Sequence, residues 1–142
     1  MSEKNQPILE YDNFQLRFKT EDGYLTAVDC ISFQIMSGEI MGLVGESGCG
    51  KSVTSLSAMK LLPKTANYEG QIRFKGENVL DLDGKQLEKV RGNKIAMIFQ
   101  EPMTALNPAF KIGDQLAEVF TIHQGMDKDT ALEESVNMLE KV

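Results

Sequence analysis

Eight residues, Gly45-Glu46-Ser47-Gly48-Cys49-Gly50-Lys51-Ser52, have the types and spacing to hold a polyphosphate. Gly45, Gly48 and Gly50 permit positive φ and carry no Cβ, so backbone N–H groups can converge on phosphate oxygens at close range. Lys51 brings a positive charge to the terminal phosphates, and the Ser52 hydroxyl is placed to ligate Mg²⁺. The bland alternative is a glycine-rich turn that happens to contain a lysine and a serine. The flanking residues weigh against it. Ile40-Met41-Gly42-Leu43-Val44 is a short apolar run, as expected of a buried parallel strand, and Val53 to Leu62 has helical spacing up to Pro63. Strand, loop and helix in that order bring the phosphates to a helix N-terminus, where free N–H groups and the dipole favour anions.

The elements that must position this loop can be read on both sides of it. Phe14, Leu16 and Phe18 alternate with Gln15 and Arg17, and Ile31, Phe33 and Ile35 alternate with Ser32 and Gln34, the mark of half-buried strands. Thr20-Glu21-Asp22-Gly23 supplies the turn between them. Gly70 to Gly76 reads as another strand, Leu82 to Arg91 as a short polar helix, and Lys94 to Phe99 as a second apolar strand that runs into the loop from Gln100 to Pro108. Helical periodicity returns in Ile112, Leu116, Val119 and Phe120 and again, after Gly125, in Leu132, Val136, Leu139 and Val142.

Composition narrows the class. With 142 residues, 42% of them apolar and 25% charged, the chain is expected to be globular and to form one domain. A net charge of -6, with scattered basic residues, argues against nucleic acid as a partner, because binding phosphates over a wide surface needs a basic patch. No run approaches the length of a membrane span and the N-terminus MSEKNQPILE lacks a signal-peptide core, so no membrane-crossing segment is expected. Cys30 and Cys49 form no C-x-x-C pair and His123 is the single histidine, which points to reduced thiols and away from a metal site or disulfide. His123, just before Gly125, suits a helix C-terminus, and Met97 and Met138 suit core filling.

From Gln100 onward the pattern is more specific. The run AVDCISFQIMSGEIMGLVGESGCGKS followed by AMIFQEPMTALNP resembles the first half of an ABC transporter ATP-binding subunit, and the phrases EPMTALNP and IGDQLAE are similar to its oligopeptide, dipeptide and nickel importer branch. The resemblance runs from about Leu9 to Val142. It implies an α/β fold, the N-terminal portion of a P-loop NTPase of the ABC ATPase kind, with an antiparallel β subdomain and the start of a helical subdomain. Residues 1–142 would then be one partial nucleotide-binding domain, with the β subdomain and P-loop core up to about residue 110 and the helical part from about 111.

The same resemblance implies ATP and Mg²⁺ as cofactors. It assigns phosphate contacts to Gly45, Ser47, Gly48, Cys49, Gly50, Lys51, Ser52 and Val53, with Ser47 near the γ-phosphate and Cys49 at a variable position. Gln100 corresponds to the Q-loop glutamine, which reaches Mg²⁺ or the attacking water and links the nucleotide to a transmembrane partner. On this pattern Lys51 and Gln100 are the catalytic candidates, and Ser52 and Gln100 the metal-contacting ones. Phe18 falls where the family places an aromatic ring against adenine, with Tyr24 as the backup, although Phe18 equally continues the core alternation of Phe14 and Leu16.

Function is implied in the same way. The parent would hydrolyse MgATP at a head-to-tail interface with a second, identical or paralogous, ATP-binding subunit. Hydrolysis would drive import of peptides or a related solute through integral membrane permease subunits, on the cytoplasmic face of the membrane, with an extracytoplasmic solute-binding protein acting indirectly. The sequence contains no four-residue apolar run ending in Asp-Glu, no LSGGQ-like signature and no switch histidine, so these residues are expected to be an N-terminal piece that does not turn over ATP alone. Two alternatives are a soluble non-transport ABC-type ATPase and a P-loop small-molecule kinase. A kinase would have no need of a glutamine at the spacing of Gln100.

Overall fold

The computed structural model describes residues 6–100 and 105–142; the positions Glu101 to Thr104 of the EPMTALNP phrase lie outside the described residues. Two compact units divide at Leu87/Glu88. The first is built on a four-stranded antiparallel sheet of order β2-β1-β3-β4, with β1 at Pro7–Thr20, β2 at Gly23–Met36, β3 at Ala66–Phe74 and β4 at Glu77–Asn78. As the turn residues predict, β1 and β2 form a hairpin closed at Thr20 opposite Gly23.

The central strand β1 carries a bulge that the period-two pattern conceals. Tyr11 pairs with Ile72 and Asp12 with Gln71, but the next pair is Gln15 with Glu69, so β1 has one more residue than β3 in this interval. Asn13 takes φ 46 there. The shift puts Tyr11 and Phe14, three positions apart, together in the core. Gly70 fits beneath this bulge, since a Cβ on it would lie 2.2 Å from the Asn13 carbonyl oxygen, and its φ of +79 also favours glycine.

Tyr11, Phe14, Leu16, Val28, Ala58 and Ile72 form the buried cluster, and Phe18, Ile31, Phe33, Val53 and Leu62 pack against it partly buried. Tyr11 stacks on Phe33 with ring centroids 4.4 Å apart and meets Phe14 edge-on at 5.4 Å. Full burial of Phe14, Leu16 or Ile72 contributes about 1.5–3 kcal/mol each. On this sheet sits α1 (Lys51–Ser57), shorter than the helix expected up to Leu62, with Lys60 at φ 47 just beyond it. A 3₁₀ turn, Val79–Asp81, and α2 (Gly84–Val90) follow. Asp83 and Gln86 begin α2 with a reciprocal capping box, each side chain accepting from the other's backbone N–H.

The second unit contains α3 (Ile112–Gln124) and α4 (Lys128–Glu140). Gly125 ends α3 in the left-handed conformation, its N–H and that of Met126 returning to the carbonyls of Thr121 and Phe120. Asp127 caps α4 by accepting from the N–H groups of Asp129 and Thr130. Small residues, Gly113 on α3 and the buried Ala117, Ala131 and Ser135, let the helices approach; a Cβ on Gly113 would lie 3.4 Å from Leu132. No helix among the described residues is long and apolar enough to cross a membrane.

Two expected strands do not form. Residues 40–44 and 94–99 enter no ladder, apart from a single parallel bridge between Arg91 and Ile95. Ile40 is 98% exposed, Val44 90% and Ile98 fully so. Their apolar composition fits strands covered on both faces, and parallel strands need neighbours to hydrogen-bond with; no described strand pairs with either segment.

Candidate functional site

The glycine-rich loop leaves residue 44 and enters α1 at Gly50, which serves as N-cap in the left-handed conformation, φ 95. Glycine is required here on two grounds. The φ is positive, and a Cβ would lie 2.6 Å from the Ala27 carbonyl oxygen on β2. Gly45 and Gly48 also take positive φ, 157 and 82, and a Cβ on Gly45 would collide with Cys49 Sγ at 2.5 Å. The loop is thus closely fitted to β2 on one side and folded over Cys49 on the other.

The first turn of α1 leaves amide groups without intrahelical acceptors, because the ladder starts with Thr54 N–H donating to the Gly50 carbonyl at 2.9 Å. A cavity of about 190 Å³ opens there, lined by Ala27, Gly48, Gly50, Lys51, Ser52 and Val53. The Lys51 ammonium folds back over the loop, donating to the carbonyls of Gly45 at 2.8 Å and Glu46 at 2.6 Å, with Cys49 Sγ at 3.5 Å. A cation, amide donors, a hydroxyl and little side-chain bulk make a site for a phosphate chain. The helix behind it is anchored by Tyr11, whose buried hydroxyl donates to the Thr54 carbonyl at 2.8 Å; burial pushes that phenol well above its ordinary pKa range.

The structure therefore gathers Gly48, Gly50, Lys51, Ser52 and Val53 around one cavity and places Gly45 and Cys49 against Lys51. Ser47 is exposed and is not part of the cavity lining. Phe18 pairs with Leu25 and Ala66 in the sheet and packs, partly buried, against the core; it does not line the cavity. Tyr24 is 59% exposed, with the Arg17 guanidinium 5.9 Å from its ring centre. Gln100 is exposed and belongs to the second unit. Both cysteines are free and exposed. His123, near the end of α3, lies where a Cβ on Gly92 would meet its Nε2 at 3.0 Å.

Sequence reasoning did not identify Ala27, whose contribution is a backbone carbonyl, or Tyr11, whose inward direction depends on the bulge. A larger cavity of about 750 Å³ lies on α3, among Phe110, Ala117 and Ile122 with Asp114 and Glu118. Lys128 in its lining is paired with Asp114 at 3.2 Å and leaves Glu118 as a negative charge, whereas the smaller cavity is lined by Lys51 and no carboxylate and is the better candidate for phosphate.

Residues 28–141 match the family described as ABC transporter. The chain is 48% identical over 136 residues to the oligopeptide transport ATP-binding protein OppD of Haemophilus influenzae, covering 96% of this chain and 42% of that relative. It is 44% identical over 135 residues to OppD of Escherichia coli, covering 95% of this chain and 40% of the relative. The chain thus spans about two fifths of the length of these relatives. Among solved structures, the dimeric MJ0796 bacterial ABC transporter cassette superimposes with a TM-score of 0.76 at 21% identity, over 93% of this chain and 56% of that one. A second MJ0796 structure, described as a post-hydrolysis state bound to ADP and Pi, gives the same TM-score at 22% identity.

Proposed function

Because the chain belongs to the ABC transporter family, we propose that it carries the ATP-binding loop of a subunit that powers solute import, with peptides as the solute class. The observation that carries this reading is the loop itself: three glycines at positive φ, the Lys51 ammonium turned over them, and a cavity lined by Gly48, Gly50, Lys51 and Ser52. The likeness to oligopeptide transport proteins over almost the whole chain supports the solute class.

The chemistry follows from the residues present. Entering phosphates give the Lys51 ammonium charged oxygens in place of two neutral carbonyls, and charge-assisted hydrogen bonds are the stronger kind. Amides of the first turn of α1 hold the β-phosphate, and Lys51 draws charge from the β and γ oxygens. Among the described residues no group of three His, Cys, Asp or Glu is placed to hold a metal. Ser52 fits Mg²⁺ nonetheless, because this ion typically takes one or two protein oxygens and completes its shell with phosphate and water; bound there, it would neutralise developing phosphate charge. Gln100 is assigned to Mg²⁺ or the attacking water, and Ser47 to the γ-phosphate. For adenine, Phe18 is the proposed ring, with Tyr24, which is more exposed but has the Arg17 guanidinium over its ring, as the backup.

In this reading residues up to about 110 form the β subdomain with the P-loop core, and those from about 111 the start of the helical part. The full-length protein pairs head to tail with a second ATP-binding subunit and docks on permease subunits at the cytoplasmic face of the membrane. The test is ATP hydrolysis by the full-length protein: the reading expects MgATP turnover that Lys51→Ala abolishes. Turnover unaffected by that substitution would place the reaction elsewhere.

A further inference from the structure

Gly50 has no side chain to hold its own conformation. It enters α1 at φ 95 and ψ 0, in a region where glycine turns at little cost. The direction of the Gly50–Lys51 peptide matters, because in a planar trans peptide the Gly50 carbonyl and the Lys51 N–H point opposite ways. With the carbonyl directed along α1 to Thr54, the Lys51 N–H is directed back toward the loop and the cavity that Lys51 lines. With the peptide turned over, a carbonyl oxygen would meet an entering phosphate in place of a donor.

Thr54 holds that carbonyl twice. Its backbone N–H donates to the Gly50 oxygen at 2.9 Å and its hydroxyl donates to the same oxygen at 2.9 Å, so both lone pairs of the carbonyl are engaged. Thr54 is itself fixed: it is 4% exposed, and the Tyr11 hydroxyl on β1 donates to its carbonyl at 2.8 Å. Hydroxyls that bond back to the carbonyl four residues earlier recur on this helix, since Ser55 donates to Lys51 at 3.2 Å and Ser57 to Val53 at 2.6 Å. The acceptor sets Thr54 apart. Lys51 and Val53 lie inside the helix and carry a Cβ that restricts their backbone, whereas Gly50 needs a tie from outside.

We propose that Thr54 is a positioning residue of the phosphate site: its hydroxyl, acting through the Gly50 carbonyl, keeps the Lys51 N–H turned toward the cavity. The role toward phosphate rests on the ATP-binding reading above; the hold on Gly50 does not. Loss of the hydroxyl frees the peptide to turn and weakens phosphate binding, although Thr54 does not line the cavity.

The experiment titrates the full-length protein and its Thr54→Val, Thr54→Ser and Ser57→Ala variants with MgATP by calorimetry, and follows amide hydrogen exchange at residue 54. Valine keeps the shape of threonine without the hydroxyl, serine keeps the hydroxyl, and Ser57→Ala removes a buried hydroxyl from the same helix without touching the Gly50 carbonyl. In Thr54→Val, MgATP affinity should fall about fivefold to tenfold, and exchange at residue 54 should quicken several-fold relative to its intrinsic rate; affinity in Thr54→Ser and Ser57→Ala should stay within about twofold of wild type. Unchanged exchange in Thr54→Val overturns the hold on Gly50. Quickened exchange with wild-type affinity overturns the positioning role, as does a loss of affinity that Thr54→Ser shares or Ser57→Ala matches. Should Thr54→Val fail to fold, Thr54→Ala, which lacks the hydroxyl and favours helix, takes its place against Thr54→Ser with the same outcomes. A wild type that binds no MgATP would remove the ATP-binding reading and the role toward phosphate with it, while exchange at residue 54 would still decide the hold on Gly50.

Discussion

A methyl group at Gly50 would lie 2.6 Å from the Ala27 carbonyl at a backbone angle that side chains disfavour. Gly50→Ala is therefore expected to cost at least about 2 kcal/mol and to abolish nucleotide binding, measured by a denaturant melt beside ATP titration. A variant of unchanged stability and affinity would mean that the loop tolerates a different path. The motif made Gly50 and Lys51 legible from the sequence, since residue type alone dictates positive φ and charge. It could not reveal that Ala27 is the neighbour, nor that Gly70 is a glycine because Asn13 bulges against it. Those are relations between segments far apart in sequence, with nothing local to record them.

At the scale of elements, Tyr11 ties α1 to β1 through its buried hydroxyl. Tyr11→Phe should lower stability by about 0.5–1.5 kcal/mol. Because the folded phenol titrates above its unfolded value, wild-type stability holds below the ordinary phenol pKa, about 10, and falls as pH rises beyond it. Denaturant melts across that range should show this alkaline loss in wild type and less of it in Tyr11→Phe; identical profiles would contradict the assignment. Asp127 carries the opposite sign. Hydrogen bonds from Thr130, and to a smaller extent from Asp129, hold its carboxyl below the usual range, so the cap is intact above that range and lost as pH falls through it. Asp127→Asn should remove that acid dependence from α4, read by helical circular dichroism or by amide exchange at Thr130. The hairpin and both later helices were legible because turn residues, alternation and periodicity are local signals. The runs at 40–44 and 94–99 were legible as apolar segments but not as ladders, since a strand also depends on what lies beside it.

For the whole molecule, the central matter is whether the loop is formed well enough to bind nucleotide while nearby apolar segments stay uncovered. One set of contacts favours a formed loop: the sheet core, the Tyr11 anchor and the fit of Gly50 to β2 lie in the same compact unit as the loop. Ile40 and Val44, just before it, have little cover. Charge-assisted bonds of about 1.5–3 kcal/mol each, from Lys51 and the loop amides, can together reach the roughly 8 kcal/mol of micromolar binding if the loop keeps its shape. The most direct measurement is calorimetric titration of the 142-residue chain with MgATP, with Lys51→Ala as control and a circular dichroism melt of both proteins. The account predicts binding that is lost in Lys51→Ala while both proteins melt cooperatively. Cooperative melting without binding, or binding that survives Lys51→Ala, would contradict it.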